Sequence, residues 1–396
     1  MDFDFLDHSM LNASREAILQ FKSAIEGAKP TDKEVKSLAD RIRPYRHTTT
    51  LDQEFRIGAV DGSGEFPILQ QDDVFVHFAT AAGVTYDTQS ARQSKMAAVG
   101  GLGPLLKRFV TLQDQPQKIA NAYEIFLDAL IGKSLKDLVE ASDYCAAYSR
   151  FGKSLKPSQV AWNKVTLSHA SQIASHAYLL RSMAELGMAV RLLEFQPKYL
   201  LLDTSLVYFL LGETLFLPEL LKRYLITKAN EQNTGIVALC KSHNIPNGDF
   251  IGRLARDKHG LKSHWFLRLP SEALGDAPLS FLKDREIPPK LSVSYLFKFE
   301  ATSFPMRVDV DAAWWSAHLA GDEAKEKQFF EDMDFTCHEV RSYGYPYPMH
   351  AAHRRASLTK QERKAARDLL LQYAQQEGLL RGAFLEDPES VHMTGI

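Results

Sequence analysis

The stretch FRIGAVDGSG, residues 55–64, decides the fold class of this chain. A short apolar run rich in strand-forming residues ends in Asp61 and is followed by Gly-Ser-Gly, which is turn chemistry. The same order of residue types returns in LLLDTS, residues 200–205, where Asp203 follows an apolar run. Two strands that each end in an aspartate predict a sheet with two carboxylates near one edge.

The order of elements predicted around these two runs is that of an α/β protein. A second strand over residues 74–86 suggests a hairpin with the first, whereas residues 1 to about 48 and 88 to about 190 are mostly helical in pattern. Thr359 and Glu362 form a capping box that begins a helix in the C-terminal tail. The other predicted elements are strands over 198–203, 235–240, 291–299 and 306–310 and helices over 158–193, 217–229 and 249–257.

The composition is that of a globular chain with a sizeable core. Of the 396 residues, 45% are hydrophobic and 24% are charged, which excludes a mainly disordered protein. The 47 basic and 49 acidic residues give a formal net charge of -2. This balance argues against a uniformly basic nucleic-acid binder, so any contact with DNA requires a local basic surface.

Cysteine content and apolar runs bear on the compartment. Because Cys145, Cys240 and Cys337 form no CxxC pair, we expect neither a disulfide framework nor a zinc ribbon, and a reducing cytoplasm fits best. The acidic start of the chain does not have the pattern of a signal peptide. The apolar run 199–221 contains Asp203, which a bilayer core would penalise by roughly 3 kcal/mol. We therefore expect a cytoplasmic protein without a membrane segment.

The two strand-end aspartates are candidate metal ligands. Hard oxygen ligands suit Mg²⁺ or Mn²⁺, and neighbouring strand ends can bring Asp61 and Asp203 to one metal pair. Such a pair clamps the attacking and leaving oxygens in phosphodiester hydrolysis. Taken alone, such a motif is more typical of an ordinary turn that an aspartate caps.

A carboxylate from the predicted long helix could complete such a cluster. Glu185 precedes the second aspartate strand, and Glu194, nearer that strand, is the competing choice. The alternative is a solvated helix charge. His169 and His176 share a face of the helix, but Glu185 points roughly opposite to His176, so we expect the two histidines on a polar face toward a partner.

Two later segments carry basic and proton-transferring side chains. In YPYPMHAAHRR, residues 345–355, prolines hold the chain extended before a helix. His353 there could protonate a leaving group or orient water, and Arg354 and Arg355 could grip a phosphate; the alternative is a rigid turn with a partly buried histidine. Lys241, at another strand end, could neutralise charge on a phosphate or simply extend to solvent.

The ordered set of these motifs resembles the NurA nuclease family. The family's opening strand-Asp-Gly-Ser signature is similar to AVDGS at 59–63, and its second strand-end motif is similar to LLLDTSL at 200–206. Its lysine strand resembles IVALCKSH at 236–243, and its late Tyr-Pro segment resembles GYPYPMHAAHRRA at 344–356. The sequence departs from the family at Thr204, where a glycine is usual.

The resemblance implies an RNase H-like mixed sheet core and a manganese-dependent DNA nuclease, typically 5′ to 3′ on single strands and ends. It also implies a homodimer that works beside a HerA-type hexameric ATPase, in end processing or antiviral defence. Mg²⁺ stays an alternative to Mn²⁺. The implied site residues are the metal ligands Asp61, Glu185 and Asp203, the pocket residues Tyr345 and His353, the phosphate-facing Lys241, and the DNA-binding Arg354 and Arg355.

The domain division follows from the same motifs. We predict a helical N-terminal segment over 1–48, a nuclease domain over 49–356 with a helical insertion at about 90–190, and a helical tail over 357–396. The basic residues near His353 would supply the local DNA surface: Arg354, Arg355, Lys360, Arg363, Lys364 and Arg367.

Two other functions compete with an active nuclease. A catalytically degenerate subunit would keep the fold and bind DNA ends and the ATPase without cleaving, and Thr204 and the modest charge motivate this alternative. An actin-like phosphotransferase would also place aspartates at strand ends, but it requires glycine-rich phosphate hairpins, of which Gly62 and Gly64 are a poor version.

Overall fold

The computed structural model describes most of the chain. The described residues are 8–27, 30–64, 67–71, 73–90, 92, 94–100, 103–113, 115–149, 170–206, 216–240, 245, 248–260, 264–271, 274–276, 279, 291–299, 305–339 and 341–379.

Strands and helices alternate along the described residues. The strands are β1 (Arg43–Tyr45), β2 (Arg56–Ser63), β3 (Pro67–Gln71), β4 (Val74–Thr88), β5 (Met96–Ala98), β6 (Leu105–Gln113), β7 (Tyr199–Leu202), β8 (Gly235–Cys240), β9 (His264–Arg268), β10 (Ser292–Lys298), β11 (Met306–Asp311), β12 (His338–Glu339) and β13 (Ser342–Tyr343). The helices are α1 (His8–Gly27), α2 (Asp32–Arg41), α3 (Pro116–Ile131), α4 (Leu135–Ala141), α5 (Tyr144–Ser149), α6 (Ala170–Leu192), α7 (Phe216–Glu231), α8 (Gly248–His259), α9 (Ala312–His318), α10 (Glu323–Cys337), α11 (Tyr347–Ala356) and α12 (Lys360–Gln376).

Strands β1 to β11 form one mixed sheet, which confirms the predicted α/β class with a mixed sheet core. Its order is β1-β9-β10-β11-β8-β7-β2-β4-β3, and β5 and β6 both pair with β4. The central strands β2, β7 and β8 are parallel, and their outer neighbours β4 and β11 are antiparallel to them. Parallel central strands arise because α6 and α7 provide the crossovers between them.

The register of the two central strands sets the position of the candidate site. β2 and β7 pair from Ile57 with Tyr199 to Val60 with Leu202. The residue that follows this last pair is an aspartate on both β2 and β7, so Asp61 and Asp203 come next to each other in register. Adjacent strands lie about 4.8 Å apart, which brings the two backbones close enough for a shared ion.

Two apolar cores cover the two faces of the sheet. Successive strand residues point to opposite faces, so Val60 packs into the core beneath α6 and α7, whereas Ala59 packs into the core beneath α10 and α11. Ala184 of α6 belongs to the first core and Ala352 of α11 to the second. The two helices that carry predicted site residues therefore approach the sheet from opposite sides.

Several predicted elements are wrong or were missed. β5 and β6 are strands in a stretch predicted to be mostly helical, and β1 lies in the segment predicted to be helical throughout. All nine residues of β6 pair with β4, and this pairing outweighs the weak local pattern of LLKRFVTLQ. The strand β9 and the helices α9 and α10 were not predicted. The domain boundaries stay a prediction.

Other predicted elements agree with the structure. The capping box at Thr359 and Glu362 is present, with both reciprocal hydrogen bonds formed. The helix predicted over 158–193 is observed as α6 from Ala170 onward, and its earlier residues lie outside the described part of the chain. Among the helices that the structure describes, none combines the length and apolar character that a membrane crossing requires.

Candidate active site

Asp61 lies buried in the middle of the sheet, with 1% of its surface exposed. The prediction that the strand ends at Asp61 is wrong. β2 continues to Ser63, because β4 still pairs with these residues. What ends at Val60 is the parallel pairing with β7. The backbone N–H of Gly62 donates to Asp61 Oδ1 at 2.8 Å, which fixes the carboxylate.

His353 binds the other oxygen of this carboxylate. Its Nδ1 lies 2.6 Å from Asp61 Oδ2, and its Nε2 lies 3.3 Å from the hydroxyl of Ser357, one helical turn later. The end of α11 is fastened to the sheet, because the hydroxyl of Thr80 donates to the carbonyl of Ala356 at 2.7 Å. The predicted histidine and the predicted aspartate are therefore in direct contact.

Glu185 reaches the same place from the opposite face of the sheet, across Gly62. A Cβ at position 62 would lie 2.6 Å from Glu185 Cγ and 2.9 Å from its Oε1, so only glycine leaves room for this side chain. Burial raises the pKa of Glu185 to about 7; the charges of Asp61 and Asp203 add to the rise, and Arg181 opposes it. Arg181 contacts both Glu185 and Asp61, so these two carboxylates are neighbours.

The competing carboxylate, Glu194, is not near this cluster. It is exposed and lies in the 3-10 turn Leu193–Phe195 that precedes β7, whereas Asp203 follows the other end of that strand. Between the two helix carboxylates that the sequence left open, the structure places only Glu185 beside Asp61.

Arg181 is a site residue that the sequence reasoning missed. Its Nε lies 3.0 Å from Glu185 Oε1, and one of its terminal nitrogens lies 3.7 Å from Asp61 Oδ1. The signal available in the sequence was the spacing of four residues to Glu185, which puts both side chains on one helix face. The guanidinium partly neutralises the two carboxylates.

Tyr345 lies before α11, close to both aspartates. Burial raises the pKa of its phenol well above the ordinary value, and the charges of Asp203 and Asp61 raise it further. The phenol therefore keeps its proton at neutral pH and stays a hydrogen-bond donor facing the acidic cluster.

The basic residues predicted for phosphate contact have different positions. Arg354 is exposed on α11. Arg355 instead donates to the backbone carbonyls of Gly83 at 2.9 Å and Gly103 at 3.1 Å, and so anchors the helix to the sheet. Lys241 lies outside the described residues.

A small cavity beside Glu185 contains a second missed residue, Lys222. The cavity has a volume of about 130 Å³, and Thr204 and Ser205 form its wall on the sheet side. Lys222 and Glu219 line the cavity from α7, and the ammonium of Lys222 lies 3.0 Å from Glu219 Oε1. The helix pattern around position 222 gave no sign in the sequence that its lysine lines the same cavity as Glu185.

Of the two histidines predicted on one polar helix face, the structure describes His176. His176 is fully buried, and its Nδ1 lies 2.6 Å from the hydroxyl of Tyr123, so the predicted partner-facing orientation is wrong for this residue. The core formed with α3 covers it. His169 lies outside the described residues.

The donor set fits a hard divalent cation. Asp61, Asp203 and Glu185 supply carboxylate oxygens, which are the ligands that Mg²⁺ and Mn²⁺ prefer. The pKa of Glu185 is raised mainly by burial, and the charges of Asp61 and Asp203 raise it further. Arg181 contacts two of the three, so this place already holds a positive group in the structure. The residues present therefore match an acidic metal centre.

Comparisons with known proteins give the fold a name. No protein-family model and no curated protein matches this sequence. Among solved structures, the chain is similar to the NurA nuclease from Sulfolobus solfataricus, with 12% identity, a TM-score of 0.52, and coverage of 95% of this chain and 98% of that one. Two other NurA crystal structures, one with manganese, match at 11% and 10% identity with TM-scores of 0.39 and 0.34; they cover 92% and 89% of this chain and 97% and 96% of theirs. The chain therefore has the fold of the NurA nucleases.

Proposed function

We propose that this protein is a metal-dependent deoxyribonuclease that hydrolyses phosphodiester bonds. The observation that carries the proposal is the proximity of Asp61 and Glu185, whose carboxylates both contact Arg181, at the position where Asp203 follows the neighbouring parallel strand. His353 of α11 contacts Asp61 directly, and the buried Tyr345 just before α11 is close enough to feel the charges of Asp203 and Asp61. The NurA-like fold supports the same reaction class.

In this proposal Asp61, Asp203 and Glu185 hold Mn²⁺ or Mg²⁺. Such an ion polarises a phosphoryl oxygen and stabilises the charge that develops during hydrolysis. Burial is the main cause of the raised pKa of Glu185, and a cation bound beside this carboxyl group would favour its charged form.

His353 acts as the general acid in this proposal. Because Asp61 Oδ2 binds Nδ1, the imidazole is oriented with Nε2 toward the more open side, where Ser357 lies. The side chain is 56% exposed, so a substrate can approach it. We assign to Nε2 the transfer of a proton to the leaving oxygen, a role that contributes about 10²–10⁴-fold to such reactions.

The DNA contacts are proposed for the exposed basic residues around the start of α12. Arg354 and Lys360 are exposed there. Lys107 of β6, also exposed, lies close enough to Glu362 to lower the pKa of that carboxyl group, after the larger effect of Thr359. A strip of cations beside His353 would neutralise phosphates and hold the strand in register with the acidic cluster.

We further propose cleavage at single strands and ends in the 5′ to 3′ direction, with a HerA-type hexameric ATPase that feeds in the DNA. The net charge of -2 supports this, since a nearly neutral protein alone grips DNA weakly. A homodimer is supported by α1, which exposes Ile18, Leu19 and Phe21. A nuclease that works with such an ATPase fits either DNA end processing or antiviral defence.

A second candidate function is a catalytically degenerate subunit that binds DNA ends and the ATPase without cleaving. The contact of Arg181 with Asp61 and Glu185 favours it, because a guanidinium held there competes with a metal ion. Cleavage by the purified protein would exclude this candidate.

The test compares two helix carboxylates. The purified protein is incubated with end-labelled single-stranded DNA and Mn²⁺, alone and with the ATPase, and Glu185→Gln is compared with Glu194→Gln as its matched control. We expect Glu194→Gln to keep the wild-type rate and Glu185→Gln to lose roughly 100-fold or more, since several kcal/mol of charge stabilisation are removed. Equal rates in the two variants would contradict the proposed site.

A further inference from the structure

A second cluster of metal-binding side chains lies away from the acidic site. His47 follows β1 by two residues, His264 begins β9, and Asp334 lies on α10. His47 Nδ1 is 3.1 Å from Asp334 Oδ2, and His264 Nδ1 is 3.4 Å from Asp334 Oδ1. One ligand atom from each of the three residues lies within 4.8 Å of the others.

The burial of these atoms is unusual for a simple polar cluster. The side chain of Asp334 is 0% exposed, whereas that of His47 is 42% exposed and opens the cluster to solvent. His264 Nδ1 is buried and makes no hydrogen bond within the described part of the chain. A buried ring nitrogen that lies 3.4 Å from a carboxylate oxygen without the geometry of a hydrogen bond calls for an explanation, and a cation bound to both groups supplies one.

We propose that His47, His264 and Asp334 bind a divalent transition-metal ion of the zinc class. Bonds of roughly 2.0–2.2 Å from zinc to nitrogen and oxygen place neighbouring tetrahedral ligands about 3.3–3.5 Å apart. His47 Nδ1 lies at 3.1 Å from Asp334 Oδ2 and His264 Nδ1 at 3.4 Å from Asp334 Oδ1, both close to this value, so the carboxylate would face the ion with both oxygens. Two imidazoles and a carboxylate leave the fourth position to water, on the side where His47 is exposed.

Neighbouring groups hold the carboxylate in the orientation that the ion needs. The backbone N–H of Thr48 donates to Asp334 Oδ2 at 2.7 Å, and His338 Nε2 lies 3.0 Å from Asp334 Oδ1. Such outer contacts fix ligand geometry in metal sites. The ion would join three distant parts of the chain, the segment after β1, the sheet edge at β9, and α10.

The chemistry of this site differs from that of the acidic cluster. Imidazole nitrogen suits zinc and its neighbours in the transition series, whereas carboxylate-only sites suit Mg²⁺ and Mn²⁺. Strand β9 is four strands from β7 in the sheet, roughly 19 Å at the usual strand spacing, so one ion cannot serve both places. We therefore expect two sites with different metal preferences.

The test measures zinc retention in a protein whose acidic site is disabled. Untagged Asp61→Ala/Asp203→Ala protein is stripped with EDTA, mixed with one equivalent of Zn²⁺, passed through gel filtration and analysed for metal. Further variants in this background are His47→Ala, whose side chain is half exposed, and His264→Ala. His318→Ala, a half-buried histidine on α9, is the matched control. Co²⁺ in place of Zn²⁺ gives a visible spectrum that reports on tetrahedral nitrogen coordination.

We expect about one Zn²⁺ per chain in the parent and in His318→Ala, and a higher melting temperature on zinc addition in both. His47→Ala should bind Zn²⁺ at least roughly tenfold more weakly, since even the loss of an outer contact costs about 10–100-fold. If His264→Ala does not fold, zinc retention by His47→Ala and the Co²⁺ spectrum of the parent still test whether this cluster binds the ion. No retained zinc in the parent, or equal retention in His47→Ala, would overturn the proposal, because hydrogen bonds alone then explain the cluster.

Discussion

Asp61 and His353 are 292 residues apart in the chain, and their side chains meet at 2.6 Å. The contact joins the central strand of the sheet to α11, and it makes the imidazole part of the acidic cluster. A histidine held by a carboxylate has one fixed nitrogen and one that can exchange a proton.

Replacing His353 tests its role in proton transfer. We expect His353→Ala to lower the rate of DNA cleavage roughly 100-fold or more, as for other lost general acids, while the protein stays folded because the side chain is half exposed. The measurement is the single-turnover rate on a labelled strand at several pH values, beside the melting temperature. A rate within threefold of the wild type at every pH would rule out this role.

Gly62 sets the position of Glu185, so a methyl group there should displace it. We expect Gly62→Ala to cost about 1–3 kcal/mol of stability through overpacking and to lower the cleavage rate at least tenfold. Gly252→Ala is the control, because its Cβ would meet Pro305 Cγ at an ordinary 3.4 Å. Urea unfolding and the cleavage assay measure both effects, and an unchanged rate in Gly62→Ala would show that Glu185 is not needed.

Arg181 and a metal ion should compete for the same carboxylates. Arg181→Met is expected to lower the melting temperature of the metal-free protein, since two neighbouring carboxylates lose their cation. Added Mn²⁺ should then raise the melting temperature more in the variant than in the wild type. Arg56→Met removes a comparable ion pair with Asp87 and serves as the control. Equal Mn²⁺ shifts in all three proteins would exclude competition.

His77 should make the protein sensitive to acid. Burial, with a smaller effect of His176, lowers the pKa of His77 from 6.5 to about 4. The folded pKa lies below the unfolded value, so the contribution of neutral His77 is complete above pH 6.5 and is lost as the pH falls toward 4, by about 3 kcal/mol. His77→Leu should flatten this part of the stability curve, whereas His318→Leu should not. Parallel curves for wild type and His77→Leu between pH 7 and 4 would contradict the assignment.

The sequence predicted the parts of the site that follow from local pattern. Asp61 and Asp203 each follow an apolar run, and both come directly after the last residue pair of the parallel ladder between β2 and β7. The capping box at Thr359 was equally local. Residues whose roles depend on distant partners could not be predicted in this way. Arg355, expected to bind phosphate, donates to the backbone carbonyls of Gly83 in β4 and Gly103 before β6, which no local pattern in the sequence indicates.

The fold shows the same division between local and distant information. β6 alternates poorly and carries Lys107 and Arg108 in its middle, so its strand character comes from pairing with β4 rather than from its own residues. The histidine cluster is invisible in the sequence because its ligands, at positions 47, 264 and 334, share no local spacing. Only the packing of α10 against the sheet edge at β1 and β9 brings them together.

The measurement that tests the central proposal most directly is Mn²⁺-dependent cleavage by the wild type and by Asp203→Asn. End-labelled single-stranded DNA is incubated with each purified protein, with and without Mn²⁺ and the ATPase, and products are resolved by length. We predict Mn²⁺-dependent shortening by the wild type and a loss of roughly 100-fold or more in Asp203→Asn, which keeps the shape but not the charge. No cleavage by the wild type under any of these conditions, or equal cleavage by both proteins, would contradict a nuclease built on Asp61 and Asp203.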